Sequence, residues 1–176
     1  ILVDRNCLNA FLIGAKGKST KHAFGGFLRS KKRKISVYFF SKFADKLLNY
    51  LLYGNEGFKF RSVQKTGIPT NIFDQKNTFL SKSEWLNGIL FTNTKNLLKF
   101  DYYKLEGKAY NEDVIYSGIL RKNLINLWVN NKAICFEQKE NVFYKNERLT
   151  YAYWIKIYKT RKIIISFYKG SFFRMV

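Results

Sequence analysis

The sequence has few histidines, cysteines and prolines, and each shortage argues against a class of function. His22 is the only histidine, so a Ser–His–Asp relay or a histidine metal cluster would depend on one side chain without a supporting motif. A histidine at a strand edge is the simpler interpretation. The two cysteines, Cys7 and Cys135, lack metal-type spacing and suit a reducing, cytoplasmic environment, although they could still bridge. No apolar run is long enough to form a transmembrane helix.

Acidic residues are also scarce, which leaves a large excess of positive charge. Lys and Arg total 32 against 12 Asp and Glu, a net charge of +20. A field of this size favours anionic partners: nucleic acid, acidic lipid headgroups or phosphorylated small molecules. Apart from the segment RSKKRK (29–34), the cations are spread along the chain, so charge alone does not choose among these partners. Hydrophobic residues make up 47%, which predicts a folded domain with a core.

The hydrophobic pattern predicts one α/β domain in which strands alternate with helices. Helical spacing over residues 4–15 places Leu8, Phe11 and Leu12 on one side. In the segment GFKFRSVQKTG (57–67), uncharged residues alternate with basic neighbours, which predicts a strand, and a turn follows. The other predicted elements are a strand over 22–28, an aromatic helix over 35–54, a buried strand over 84–93, a helix over 112–122, the short strands INLWVN and KAICFE, and a long helix from residue 147.

The segment GAKGKST (14–20) is similar to a phosphate-binding loop but does not fit one. The phosphate-loop pattern requires glycine at position 12, where Leu12 stands, and a preceding strand, where the pattern here is helical. The segment therefore predicts no nucleotide site.

The acidic pair Glu112 and Asp113 is the most informative functional signal. On its own the pair has a structural interpretation: Asn111 caps a helix, and acidic residues suit the positive end of the macrodipole. The order of the flanking segments shifts the balance toward function. EWLNG (84–88) precedes the pair, FDYYKLEGKAY (100–110) leads into it, and LWVNNKAICFE (127–137) follows it.

This ordered set resembles the C-terminal half of a family 2 glycosyltransferase with the GT-A fold. In that family EWLSG, FDE…GYxxGED and YxNPKAxVxH follow one another, and the resemblance covers roughly residues 58–150. The beginning of the chain is similar to the helix and strand that follow the family's Asp-x-Asp motif. The resemblance implies a partial GT-A sandwich whose nucleotide-binding half would precede Ile1. Residues 1–146 would be the C-terminal portion of the catalytic domain, with 147–176 as its amphipathic last segment, and the chain alone would be inactive.

The family transfers a sugar from a nucleotide-activated donor to a saccharide or lipid-linked acceptor with inversion, and a carboxylate takes the proton of the attacking hydroxyl. The resemblance assigns that base to Asp113, with Glu112 beside it. The helix N-terminus should lower the pKa of Asp113 and keep it ionised. Trp85 would either stack on a sugar ring or pack in the core. The candidate substrate-binding residues are Glu84, Trp85, Asn87 and Gly88.

A departing nucleoside diphosphate also needs a divalent metal and nearby cations to neutralise its charge. The resemblance therefore implies Mg²⁺ or Mn²⁺ in the complete enzyme. Glu137 stands where the family often has a histidine, and its carboxylate would either ligate such a metal or simply end a strand.

Two further possibilities stay open. A basic nucleic-acid-binding module would use the charge of +20 and the aromatic residues interleaved with cations, whereas the glycosyltransferase interpretation expects no nucleic acid. In the C-terminal segment, apolar residues at helical spacing stand beside lysines and arginines. That arrangement suits either peripheral contact with an anionic membrane, on its cytoplasmic face, or packing across the sheet. The spaced apolar residues are Ala152, Tyr153, Ile157 and Ile164.

Overall fold

The computed structural model describes residues 2–30, 47, 61–64, 66–69, 79–105, 111–137 and 150–170. These residues form a mixed α/β fold with one five-stranded sheet. The strands are β1 (Leu2–Val3), β2 (His22–Ser30), β3 (Leu80–Lys82), β4 (Leu90–Thr92) and β5 (Asn126–Glu137). The helices are α1 (Cys7–Ala15), α2 (Thr94–Lys99), α3 (Glu112–Lys122) and α4 (Tyr151–Tyr168). The predicted helix over 35–54, apart from position 47, and most of RSKKRK lie outside the described residues.

Strand β5 is the centre of the sheet. It pairs in parallel with β2 and antiparallel with β1 and β3, while β4 pairs antiparallel with β2. The register between β2 and β5 shifts after Gly26, which pairs with Asn130, so that Phe27 pairs with Ile134. Within the shifted part, the Asn130 side chain accepts a hydrogen bond from the Lys132 N–H at 3.0 Å. The two short strands predicted here are therefore one strand with an irregular middle.

Helix α1 packs on the sheet through Phe11 and its small residues rather than its leucines. Of the three residues predicted on one side, Phe11 is buried, whereas Leu8 and Leu12 are 61% and 56% exposed; the helix itself is confirmed. A Cβ at Gly14 would lie 2.8 Å from the side-chain nitrogen of Asn130, so the helix backbone lies very close to β5. Such close contact favours small side chains over branched ones. The buried residues of α1 are Cys7, Ala10, Phe11 and Gly14.

The two cysteines meet between α1 and β5. Their Sγ atoms lie 3.6 Å apart, although the residues are separated by 128 positions in the chain. Both are buried free thiols. Burial raises the pKa of the Cys135 thiol to about 12, and the Cys7 thiol beside it adds to the effect. At neutral pH the Cys135 thiol therefore stays protonated.

The predicted buried strand over 84–93 is only partly formed, because residues 83–89 take an irregular path against β2 and only β4 is a strand. The glycine pair of β2 makes room for this path. A Cβ at Gly25 would lie 2.9 Å from Leu86 Cδ2, and the Gly26 N–H donates to the Ile89 carbonyl at 3.3 Å. Side chains at these two positions would push the 83–89 segment off the strand.

Helix α3 covers the sheet, and α4 packs against α3. Gly118 of α3 is a point of close contact, since a Cβ there would lie 2.7 Å from Phe167 Cβ of α4. The segment KIIISFY, which also has strand character, is helical. Within the described ranges, no helix is both long enough and apolar enough to cross a membrane. The residues between α3 and the sheet are Ala23, Leu86, Tyr116, Leu120, Ile125, Leu127 and Val129.

Two smaller predictions are confirmed. Residues 14–20 end α1 and continue into a turn, so they do not form the strand–loop–helix of a phosphate site. His22 begins β2, and its Nδ1 lies 3.1 Å from the Ser19 hydroxyl, as a strand-end histidine would.

Candidate active site

The acidic pair lies in the first turn of α3, as predicted. Asn111 occupies the N-cap position with a φ of 56°, in the left-handed region that asparagine tolerates, and its side chain makes no capping hydrogen bond. Asn111 is thus the N-cap residue, as predicted, but it caps the helix without a side-chain hydrogen bond. Instead, Oδ1 of Asp113 accepts a hydrogen bond from the Val114 N–H at 2.9 Å. The Glu112 side chain is exposed, whereas that of Asp113 is half-buried.

Burial raises the pKa of the Asp113 carboxyl from its ordinary value of 3.8 to about 6. The negative charge of Glu112 raises this pKa as well, while the Val114 N–H and the positive charge of Arg61 lower it. The prediction that the helix N-terminus holds the pKa down is therefore wrong, because desolvation outweighs the hydrogen bond. With a pKa near 6 the carboxylate is still mostly ionised at neutral pH, and it is a better proton acceptor than an ordinary aspartate.

The segment around residue 61 does not form the predicted alternating strand among the residues described. Residues 61–64 and 66–69 turn back at Gly67, which has a φ of 76°, and a single bridge joins Val63 to Pro69. The predicted turn is confirmed. Both Arg61 and the next residue, Ser62, are buried, which an alternating strand would not allow.

Arg61 is the functional candidate that the sequence pattern missed. It is only 2% exposed, and its guanidinium carbon lies 5.4 Å from the centre of the Trp85 ring. Burial lowers its pKa to about 10, while the negative charge of Asp113 acts in the opposite direction. Its φ of 37° is strained for a non-glycine residue, and its Nη1 has no hydrogen-bond partner in the described part of the chain. A buried, strained charge beside a titrating carboxylate is typical of a functional site.

Trp85 lies in the core, which is one of its two predicted roles. It is 5% exposed and packs with Val114 and Ile164, with Arg61 over its ring. The ring therefore holds α3 and α4 together and does not present an open platform for a sugar. The neighbouring Glu84 is also used structurally, because its Oε2 accepts a hydrogen bond from the Val63 N–H at 2.7 Å.

Asn87 has the free polar groups expected of a binding residue. Its side-chain oxygen and nitrogen are both buried, and neither has a hydrogen-bond partner among the residues that the structure describes. Leaving such an amide unpaired costs on the order of 1–3 kcal/mol, so a ligand or a water molecule is expected to pair with it. The next residue, Gly88, is exposed, and a Cβ there would have nothing within 4 Å. The open space is therefore beside Gly88, while the amide of Asn87 itself is enclosed.

Tyr102 supplies the exposed aromatic face that Trp85 does not. Its ring stacks on Tyr116, with the centroids 4.1 Å apart and an interplanar angle of 5°, and the residue is 50% exposed. Burial raises the pKa of Tyr102, and the charges of Glu112 and Asp113 raise it further, so the ring lies beside the acidic pair. The tyrosine doublet in FDYYKLEGKAY, just before the pair, is the sequence signal that could have identified it.

Hydrogen bonds hold the first turn of α3 in place from two directions. The Ser117 hydroxyl donates to the Asp113 carbonyl at 2.7 Å and accepts from the Leu86 N–H at 2.9 Å. The Tyr168 hydroxyl, at the end of α4, donates to the Val114 carbonyl at 2.9 Å. Burial raises the pKa of Tyr168, so its hydroxyl stays a donor at neutral pH. The acidic pair is thus positioned by the 83–89 segment and by α4.

A cavity of about 350 Å³ lies at the other end of α3. Its polar lining includes Lys82, Glu84, Arg121 and Asn126. Because α3 rises about 16 Å over its length, this cavity is separate from the acidic pair. The cavity is therefore lined by Glu84, one of the predicted substrate-binding residues, but not by the acidic pair.

The described residues do not assemble a metal site. No group of three His, Cys, Asp or Glu side chains among them could hold a metal ion. Glu137 ends β5, where its backbone pairs with Ser30, and the metal role suggested for it stays a prediction.

No protein-family model matches this chain, and no curated protein and no solved structure matches it. The geometry and charge of the acidic pair and its neighbours are therefore the basis for a functional proposal.

Proposed function

We propose that this chain carries the acceptor-side part of an inverting glycosyltransferase that uses a nucleotide-activated sugar, with Asp113 as the general base. The observation that carries the proposal is the Asp113 carboxyl, which lies half-buried in the first turn of α3 with a pKa of about 6. A general base works best with a pKa near the operating pH, and an ordinary aspartate is too weak a base. The resemblance in sequence assigns the same residue to this role.

The topology supports the proposal by where it places the pair. Helix α3 leads directly into β5 and packs on it, so the two run in opposite directions. The first turn of α3 therefore lies toward the carboxyl end of the segment in which β5 pairs in parallel with β2. Ligands of α/β proteins bind at the carboxyl ends of parallel strands.

In the proposed reaction the acceptor hydroxyl oxygen attacks the anomeric carbon of the donor. The new bond to the acceptor oxygen forms while the bond to the diphosphate oxygen breaks, and the nucleoside diphosphate leaves with that electron pair. Asp113 takes the proton of the attacking hydroxyl, and Arg61 favours the ionised form of Asp113 that makes this possible. The acceptor sugar lies on the exposed face of Tyr102.

Release of nucleoside diphosphate from a panel of nucleotide sugars tests the proposal, using the protein that contains this sequence and saccharide or lipid-linked acceptors. Asp113→Asn keeps the shape of the side chain but removes the base, so kcat should fall about 10²–10⁴-fold. Asp4→Asn, a matched change outside the site, should leave the rate within about twofold. Tyr102→Ala should raise KM for the acceptor more than KM for the donor. Turnover of Asp113→Asn within a few-fold of the parent would show that Asp113 is only a helix-start residue.

The nucleic-acid-binding module remains the second candidate, because the net charge of +20 favours any polyanion. Its test is binding of single-stranded RNA across a salt series. RNA binding that weakens steeply with salt, without diphosphate release from any nucleotide sugar, would make this candidate the better account.

A further inference from the structure

The first half of α4 presents a row of large apolar side chains to solvent. Tyr151, Trp154, Ile155 and Tyr158 are 81%, 57%, 36% and 46% exposed. Their spacing of three, four and seven positions places them on one face of the helix, over a length of about 10 Å. We name these four residues the α4 stripe.

In the first half of α4 the stripe lies on the side away from the core. At about 100° per residue, the buried Thr160 and Ile164 lie opposite the stripe, whereas the buried Ile165 lies on the side of the stripe but beyond it, in the second half of the helix. The second half of the helix therefore anchors it, while the first half leaves its outer face open. Of the apolar residues predicted at helical spacing, Ile164 is buried and Tyr153 and Ile157 are half-buried, so these three lie on the packed side of α4, whereas Ala152 is exposed.

Cations surround the stripe. The Lys162 ammonium lies 4.7 Å from the centre of the Tyr158 ring, at the end of the stripe. At about 100° per residue, Lys159 and Arg161 fall on opposite flanks of it. An apolar row with positive charge on both sides and at one end is complementary to a surface that is apolar inside and negative at its edge.

We propose that the α4 stripe docks this protein on a membrane surface that contains anionic lipid. Tyr and Trp rings are stable at headgroup depth, Ile155 reaches the acyl boundary, and the flanking cations meet lipid phosphates. A second copy of this chain would bring the same cations and a net charge of +20 to the contact, which opposes self-association through this face. A nucleic acid would stack on the rings but gain little from Ile155. This inference is independent of the proposed enzymatic function.

Co-sedimentation of the full chain with vesicles tests the proposal. Vesicles of phosphatidylcholine and phosphatidylserine in equal parts should bind the protein, with binding that weakens as salt rises, while pure phosphatidylcholine should bind it much less. Trp154→Ser combined with Tyr158→Ser should abolish sedimentation. Lys159→Gln and Arg161→Gln should each weaken binding about fivefold. Tryptophan emission should shift to shorter wavelength on binding, because Trp154 is 57% exposed, while Trp85 is buried and Trp128 half-buried.

Tyr103→Ser is the matched control, because Tyr103 is 46% exposed, like Tyr158, but lies outside α4. It should sediment like the parent. The stripe side chains are exposed, so their variants should keep the parent's circular dichroism spectrum and Tm. Three outcomes would overturn the proposal: no sedimentation with anionic vesicles, sedimentation that the stripe variants leave unchanged, or single-stranded RNA displacing the protein from the vesicles by binding the stripe.

Discussion

The hydroxyl of Tyr168 lies 2.9 Å from the carbonyl oxygen of Val114, which ties the last turn of α4 to the first turn of α3 directly beside Asp113. The same hydroxyl lies 3.0 Å from the Glu84 carbonyl oxygen. One hydroxyl proton satisfies one acceptor at a time, so Tyr168 divides a single hydrogen bond between two carbonyls. The Arg121 guanidinium stacks over the ring at 5.0 Å. Tyr168 therefore holds three segments together at the point where the proposed base is placed.

Tyr168→Phe should destabilise the protein by about 1–3 kcal/mol, because it keeps the ring but leaves buried carbonyls without their donor. The free energy of unfolding in urea measures the change. Tyr158→Phe, which removes an exposed hydroxyl, should stay within about 0.5 kcal/mol of the parent. Equal effects of the two substitutions would show that water replaces the lost hydroxyl at no cost.

Asp113→Asn should stabilise the protein at neutral pH even though it removes the proposed base. The folded pKa of Asp113 is raised to about 6, so folding is favoured by the protonated form. That contribution is fully present below the ordinary pKa of 3.8 and is lost as pH rises through about 6. After allowance for the partial exposure of the carboxyl, the variant should be more stable than the parent by about 1–2 kcal/mol at pH 7.

Urea unfolding of parent and Asp113→Asn, repeated from acid to neutral pH, measures this difference. It should shrink as pH falls from about 6 and vanish below about 4. Asp4→Asn is the control for a carboxyl-to-amide change elsewhere on the chain. A stability difference that is the same at both ends of the pH range would contradict the raised pKa.

Arg61→Met should raise the pKa of Asp113, because it removes the positive charge that lowers it. Glu112 and Tyr102 also face the carboxyl, and both are unchanged in this variant. The side-chain carboxyl carbon of Asp113, followed by ¹³C NMR across pH, reports the titration directly. If the proposed function holds, the acid limb of the kcat/KM profile should move to higher pH together with the pKa of Asp113.

Arg61→Lys tests whether charge alone is responsible for that effect. A lysine keeps the positive charge but not the planar group over Trp85. The pKa of Asp113 in this variant should therefore be close to that in the parent. An Asp113 titration that neither variant moves would assign Arg61 a packing role only.

Gly118→Ala should destabilise the contact between α3 and α4. Alanine improves the intrinsic helix propensity by about 1 kcal/mol. Its Cβ, however, would lie 2.7 Å from Phe167 Cβ, an atom fixed to the α4 backbone, and overpacking of this kind costs about 1–3 kcal/mol. The cost of the clash should exceed the gain in helix propensity, so Tm should fall. Gly88→Ala is the control, since a Cβ there would have nothing within 4 Å, and a rise in Tm for Gly118→Ala would mean that the two helices separate freely.

The parts of the fold that depend on local pattern could be predicted from the sequence. The helix predicted over 112–122 has those bounds, and the strand predicted over 22–28 extends to Ser30. The alternating strand predicted over 57–67 is a local prediction that fails in the residues described there, and other wrong predictions concern contacts between distant segments. The burial of Arg61 and the raised pKa of Asp113 depend on how the turn near residue 61, α3 and α4 come together, and no local periodicity records that.

The pairing of β2 with β5 has a consequence for how the chain folds. These two strands are neighbours in the sheet but lie roughly a hundred residues apart in the chain, so bringing them together costs on the order of 4 kcal/mol of loop-closure entropy. During synthesis, β2 emerges long before β5 and must wait with one of its edges unpaired. Pairing at such long range is slow compared with helix formation, so α1 and α3 can form before the sheet that orders them. The nascent chain is thus most open to aggregation until Glu137 has been added and the central strand is complete.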